Sequence, residues 1–98
     1  MRAAALRIEL LIRGPRSLKE KRAVVRPIVD GIRRLASYSV AEVGHHDSWQ
    51  RASIGVAVVA PDGKQLDRLL SKVSRYLESR PEVEVIEVIQ SSMEPEHE

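Results

Sequence analysis

The stretch from Ser39 to Ala60, SVAEVGHHDSWQRASIGVAVVA, restricts the possible folds of this chain more than any other. Two apolar, β-branched segments enclose a short polar loop that carries the single tryptophan, Trp49. Tyr38 to Val43 and Arg51 to Ala60 therefore read as strands, the second with Ala52, Ile54, Val56, Val58 and Ala60 on one face. The loop is long enough for an antiparallel hairpin, with Gly44 able to take a positive φ. Gly55 leaves a gap on the opposite face that a neighbouring backbone or bulky side chain can enter.

Upstream, Leu6, Ile8, Leu10 and Ile12 repeat every second residue, which predicts a first strand ended by Gly14-Pro15. Ser17 with Glu20 three residues later forms a capping box. From Leu18 the apolar period becomes that of a helix, with Leu18, Val25, Ile28, Ile32 and Leu35 on one stripe flanked by Val24 and Val29. Pro27 removes an amide donor inside that helix and crowds the carbonyl of Ala23, so a kink or break is expected there. Downstream, Pro61-Asp62-Gly63 is turn chemistry, and Asp62 caps a second helix whose stripe is Leu66, Leu69, Leu70, Val73, Tyr76 and Leu77. Pro81 ends that helix near Ser79. Val83 to Ile89 is a fourth strand, and its imperfect alternation, VEVIEVI, predicts a bulge near Val85-Ile86 or an edge position.

The order βαββαβ predicts an α+β, ferredoxin-like fold: a four-stranded antiparallel sheet of order 4-1-3-2 with both helices on one face. One domain is expected over residues 1–90, and residues 91–98, SSMEPEHE, are expected as a frayed acidic tail. The uncovered sheet face should include Leu11 and Val59, a surface suited to a homodimer.

Without cysteine the chain has no disulfide, thiolate metal site or cysteine nucleophile. The N-terminal apolar run is interrupted by Arg7 and Glu9 and is too short for a secretory signal, and no run spans a membrane, so a cytoplasmic protein is expected. There is no P-loop, G-x-G-x-x-G, H-E-x-x-H or G-x-x-G. With no phenylalanine, and no aromatic residue in strands one and three, the sheet cannot stack bases as an RRM does.

The segments SLKEKR at 17–22, SVAEVGHHDSWQRASIGVA at 39–57 and ESRPEVEV at 78–85 resemble the small bacterial YlxP-like proteins, a family of unassigned function, over nearly the whole chain. Asp47-x-Trp49-Gln50-Arg51-Ala52 is the most specific part of the similarity. The resemblance implies a ferredoxin-like domain, often encoded near translation and ribosome-maturation factors, and thus a ribosome or RNA connection. It implies no established activity. The chain departs from the family pattern at Pro27 and at His45-His46, so no role is carried over to those positions.

Charge is distributed unevenly. Residues 1–40 hold ten Lys/Arg against three Asp/Glu, whereas residues 41–98 hold six against eleven. Lys19, Arg22, Arg26 and Arg33 fall within about 60° of one another at 100° per residue, on one flank of the first helix, and Arg13 and Arg16 precede it. This flank is the candidate surface for an RNA phosphate backbone, and the alternative is a solvated helix face partly balanced by Glu20 and Asp30. Lys21 projects into the middle of the apolar stripe. It either snorkels past the sheet edge or meets an anion near the Glu42 to Arg51 loop, and it is grouped with the candidate nucleic-acid residues.

The loop offers Glu42, Asp47, Trp49 and Arg51 as a second candidate site. Trp49 either stacks on a base or covers the core, and Arg51 either holds a phosphate or pairs with Glu42 or Asp47 across the strands. Glu42, His45, His46 and Asp47 have metal-ligand chemistry, but adjacent histidines rarely point at one ion, so no metal, cofactor or catalytic residue is assigned. The function expected is a non-enzymatic RNA- or ribosome-associated binding module, and the alternative is a homodimeric protein-interaction module that uses the uncovered sheet face.

Overall fold

The computed structural model describes residues 1–95. The elements are β1 (Arg2–Ile12), α1 (Leu18–Leu35), β2 (Ser39–Gly44), β3 (Arg51–Ala60), α2 (Gly63–Glu78) and β4 (Val83–Met93). The sheet order β2-β3-β1-β4, antiparallel at every pairing, is the expected 4-1-3-2 order read from the other edge. The fold is α+β and ferredoxin-like.

Alternation in β1 buries Ala4, Leu6, Ile8, Leu10 and Ile12. Leu6, Ile8 and Leu10 lie opposite Val56, Ile54 and Ala52 of β3, so the two central strands form the floor of one core. Ser17 Oγ accepts from the Glu20 amide at 3.1 Å and Glu20 Oε1 accepts from the Arg16 amide at 2.8 Å, which satisfies donors left over at the start of α1. The helix lays Val25, Ile28, Val29 and Ile32 on the sheet, with Leu18 and Leu35 half-buried at its ends. No break occurs at Pro27. Pro27 and Ala23 are both exposed, so the side of the helix that lacks the donor faces water.

Asp62 caps α2 through the Gln65 amide at 2.8 Å, and Leu66, Val73 and Leu77 are buried beneath the helix. Tyr38 Oη donates to the Leu69 carbonyl at 2.6 Å, tying α2 to the start of β2. The bulge falls where the broken alternation placed it: Glu9 faces Glu87, the next β1 residue Leu10 faces Val85, and Ile86 has no partner. Strand β4 runs past the expected end at Ile89. Ser91, Ser92 and Met93 are not a frayed tail but pair with Ala5, Ala4 and Ala3, because the length of β1 sets how far its neighbour is paired. Residues 96–98 of the expected tail lie outside the described residues.

Two glycine positions refine the hairpin reading. The positive φ belongs to His45, at 58°, and not to Gly44. A Cβ at Gly44 would come within 2.9 Å of Arg7 Nη2, the end of a flexible side chain, and 3.1 Å of Ser53 Oγ, so both side chains would have to shift to make room. At Gly55 a Cβ would meet Val43 Cγ1 at 3.0 Å, so the side chain that enters the expected gap is valine. Both helices cover one face of the sheet. On the other, Val59 is 62% exposed and Leu11 is half-buried.

Candidate nucleic-acid interface

Helical periodicity places Lys19, Arg22 and Arg26 together on the exposed flank of α1, and Arg16 is exposed just before it. Of the two acids that could balance this flank, Asp30 is ion-paired to Arg33, Oδ1 to Nη1 at 3.2 Å, whereas Glu20, bonded to the neutral Arg16 amide, keeps its charge at the helix start. Among the described residues no carboxylate lies within ion-pair distance of Arg16, Lys19, Arg22 or Arg26. Arg13 instead pairs with Glu84, and Arg33 Nη2 donates to the Val40 carbonyl at 2.7 Å. Between this flank and edge strand β2 runs a groove of 290 Å³ lined by Arg26, Val29, Asp30, Arg33, Ala41 and Glu42, among others.

Lys21 is not part of that surface. Its side chain is 1% exposed; Nζ lies 2.9 Å from Glu42 Oε2 and donates to the His45 carbonyl at 2.7 Å. The ammonium neither snorkels into solvent nor waits for an external anion, because the hairpin supplies both a carboxylate and a carbonyl for it. Glu42 is thereby committed to Lys21 rather than to Arg51.

Within the loop, Ser48 Oγ accepts from the Gln50 and Arg51 amides at 3.3 and 3.1 Å, and the Ser48 amide donates to the His45 carbonyl at 3.0 Å. The expected cross-strand pairing of Arg51 with Glu42 or Asp47 is not formed, and Arg51 Nε is buried without a hydrogen-bond partner. Trp49 is 46% exposed at the hairpin tip and does not seal the core. The Ile12 amide donates to the Gln50 carbonyl at 2.7 Å, which sets this tip beside the segment that carries Arg13 and Arg16. The two histidines diverge: His45 Nε2 lies 3.3 Å from Glu9 Oε1, and His46 Nε2 lies 3.3 Å from the Glu42 carbonyl oxygen. Among the described residues no group of three or more His, Asp or Glu side chains is placed to hold a metal ion.

One cluster escaped the sequence reading. On the helix-free face, Glu9 is only 7% exposed; Ser53 Oγ lies 2.7 and 2.8 Å from its two carboxylate oxygens, and Arg7 Nε donates to Oε2 at 2.9 Å. The hydrogen bond from Ser53, then that from Arg7, holds the Glu9 carboxyl below the usual carboxylate range. Register explains the meeting, since Glu9 faces Ser53 directly across β1 and β3, and Arg7 lies on the same face two residues away. Strand alternation marks all three as solvent-facing and gives no sign that they bury one another.

Comparison with known proteins agrees with this architecture. A de novo designed protein, Foldit4, superposes with a TM-score of 0.54 at 11% identity, covering 96% of this chain and 99% of that one. SnoaB, a cofactor-independent oxygenase from Streptomyces nogalater, superposes with a TM-score of 0.52 at 9% identity over 100% of this chain and 97% of that one. At such identities the likeness concerns the fold alone. In sequence, the uncharacterized protein YlxP of Bacillus subtilis (strain 168) is 38% identical over 76 residues, 78% of this chain and 83% of that protein. The family model described as protein of unknown function (DUF503) matches residues 3–90, and the chain belongs to that family, with YlxP as a relative.

Proposed function

We propose that the protein is a non-enzymatic, cytoplasmic binding module that docks α1 on structured RNA, in isolation or within a ribosomal particle, through phosphate contacts. The observation that carries this reading is the set of exposed cations Arg16, Lys19, Arg22 and Arg26, whose two nearby acids, Glu20 and Asp30, serve a helix cap and Arg33. Unpaired guanidinium and ammonium groups along one helix flank suit a phosphate backbone, which positions a protein without reading sequence. Trp49 adds a half-exposed indole at the same end of the molecule, on which an unpaired base can stack for about 1–3 kcal/mol.

The test is binding to purified ribosomal subunits across a salt series. Four phosphate contacts give a slope of log K against log salt of about −3 to −4, and replacing Lys19, Arg22 and Arg26 by glutamine reduces it to about −1. Salt-independent binding, or a slope the triple variant leaves unchanged, overturns the reading. The alternative, a homodimeric protein-interaction module with no nucleic-acid role that uses the uncovered sheet face, is favoured by the exposure of Val59 beside Ala3, Ala5, Ala57 and Met93 on that face. Absence of binding to either subunit would leave that alternative standing.

A further inference from the structure

The two edges of the sheet differ in a way that points to a second copy of this chain. Strand β2 is short, and its backbone is occupied: the carbonyls of Val40 and Glu42 accept from Arg33 and His46, and that of His45, just beyond the strand, accepts from Lys21. Side-chain caps of this kind close an edge to strand addition. Strand β4 is eleven residues long and pairs only with β1, and among the described residues no side chain hydrogen-bonds to its backbone. Beyond the bulge at Ile86, the run from Glu87 to Met93 pairs with β1 without interruption and leaves its outer edge open as a template for another strand.

The side chains agree with the backbone. Of the eight large apolar side chains left exposed among the described residues, Ile86, Val88, Ile89 and Met93 lie on β4. Val88 shares the helix side with its partner Ile8, whereas Ile89 and Met93, opposite Arg7 and Ala3, lie on the open face. A partner laid on the open face would leave Val88 in water. A strand added along the edge brings side chains alongside both faces at once.

We infer that two copies pair β4 to β4 in antiparallel register about a two-fold axis, forming one continuous eight-stranded sheet. Identical antiparallel strands are self-complementary, so the contact closes at a dimer. Of the acids on β4, Glu84 is ion-paired to Arg13 of its own chain, whereas Glu87, exposed and opposite Glu9, has no ion pair among the described residues and is a charge the contact must leave in water. The groove between α2 and β4, lined by Leu70, Ser71, Ser74, Arg75, Val88 and Gln90 with Leu6 at its floor, then faces its symmetry mate, and its small serines permit close approach of the two α2 helices.

Sedimentation velocity over a concentration series tests the arrangement. The expected result is a reversible dimer that the Val88→Glu, Ile89→Glu double variant converts to monomer, while Val59→Glu on the open face leaves it intact, with circular dichroism confirming that each variant is folded. Single cysteines at Val88, Ile89 and Gln90, in a chain with none of its own, give oxidised dimers at one position or more, and Val59→Cys gives none. A monomer at every concentration, a dimer that survives the double variant, or one that Val59→Glu dissociates overturns the inference.

Discussion

Lys21 shows how a single residue can be conspicuous in sequence while its role depends on tertiary structure. A cation in the middle of an apolar stripe was visible from helical periodicity, but its partners sit 21 and 24 residues downstream, on a hairpin whose placement follows only from the sheet. Breaking a buried pair leaves the remaining charge poorly compensated, so Lys21→Ala should lower stability by about 3–5 kcal/mol in urea denaturation, whereas Lys19→Ala, in water, stays within about 0.5 kcal/mol. Equal, small effects would mean that the pair contributes little. Glu9 is the opposite case, since nothing in its strand pattern set it apart. Its carboxyl is held below its ordinary value of about 4.3 by Ser53 and Arg7, so it contributes stability that is present above that value and lost as pH falls through the lower folded one. Thermal melts of the native chain and Glu9→Gln should therefore differ near neutrality and converge in acid; a gap that is constant with pH would contradict this account.

At the level of elements, nearly everything that rests on local chemistry was legible. Ser17 and Asp62 marked both helix starts, and the broken alternation around Ile86 marked the bulge. What was not legible depended on a neighbour. Ser91, Ser92 and Met93 read as tail because the segment SSMEPEHE is acidic and contains proline, yet the Ala3–Ala5 segment of β1 pairs with them and extends β4. Trp49 left base stacking and core cover both open in sequence, and the loop, turning on His45 and Ser48, holds the indole half in water. Arg51 offered either a phosphate ligand or a cross-strand partner for Glu42 or Asp47, yet Lys21 reaches the Glu42 carboxylate from the helix side of the sheet. The basic flank of α1 was the part of the candidate site that sequence located well, since helical spacing alone decides it. Which cations remain uncompensated there required the ion pairs of Arg13 and Arg33 to be seen.

The whole molecule combines the two proposals into a geometric expectation. Pairing β4 to β4 puts each β2, with α1 beside it, at an outer end of the joined sheet, so the two basic flanks face away from the two-fold axis. Seven strand spacings of about 4.8 Å separate the outer strands by about 34 Å. A short RNA hairpin can then reach one flank only, and a longer structured RNA can reach both, which makes the second contact intramolecular. The native chain should bind the longer RNA about 10- to 100-fold more tightly than the Val88→Glu, Ile89→Glu monomer does, while the two bind the short hairpin equally. Filter binding at fixed salt with both RNAs resolves this. Equal affinities for the long RNA would show that the flanks act separately, and a loss of short-hairpin binding in the double variant would place β4 within the RNA surface itself.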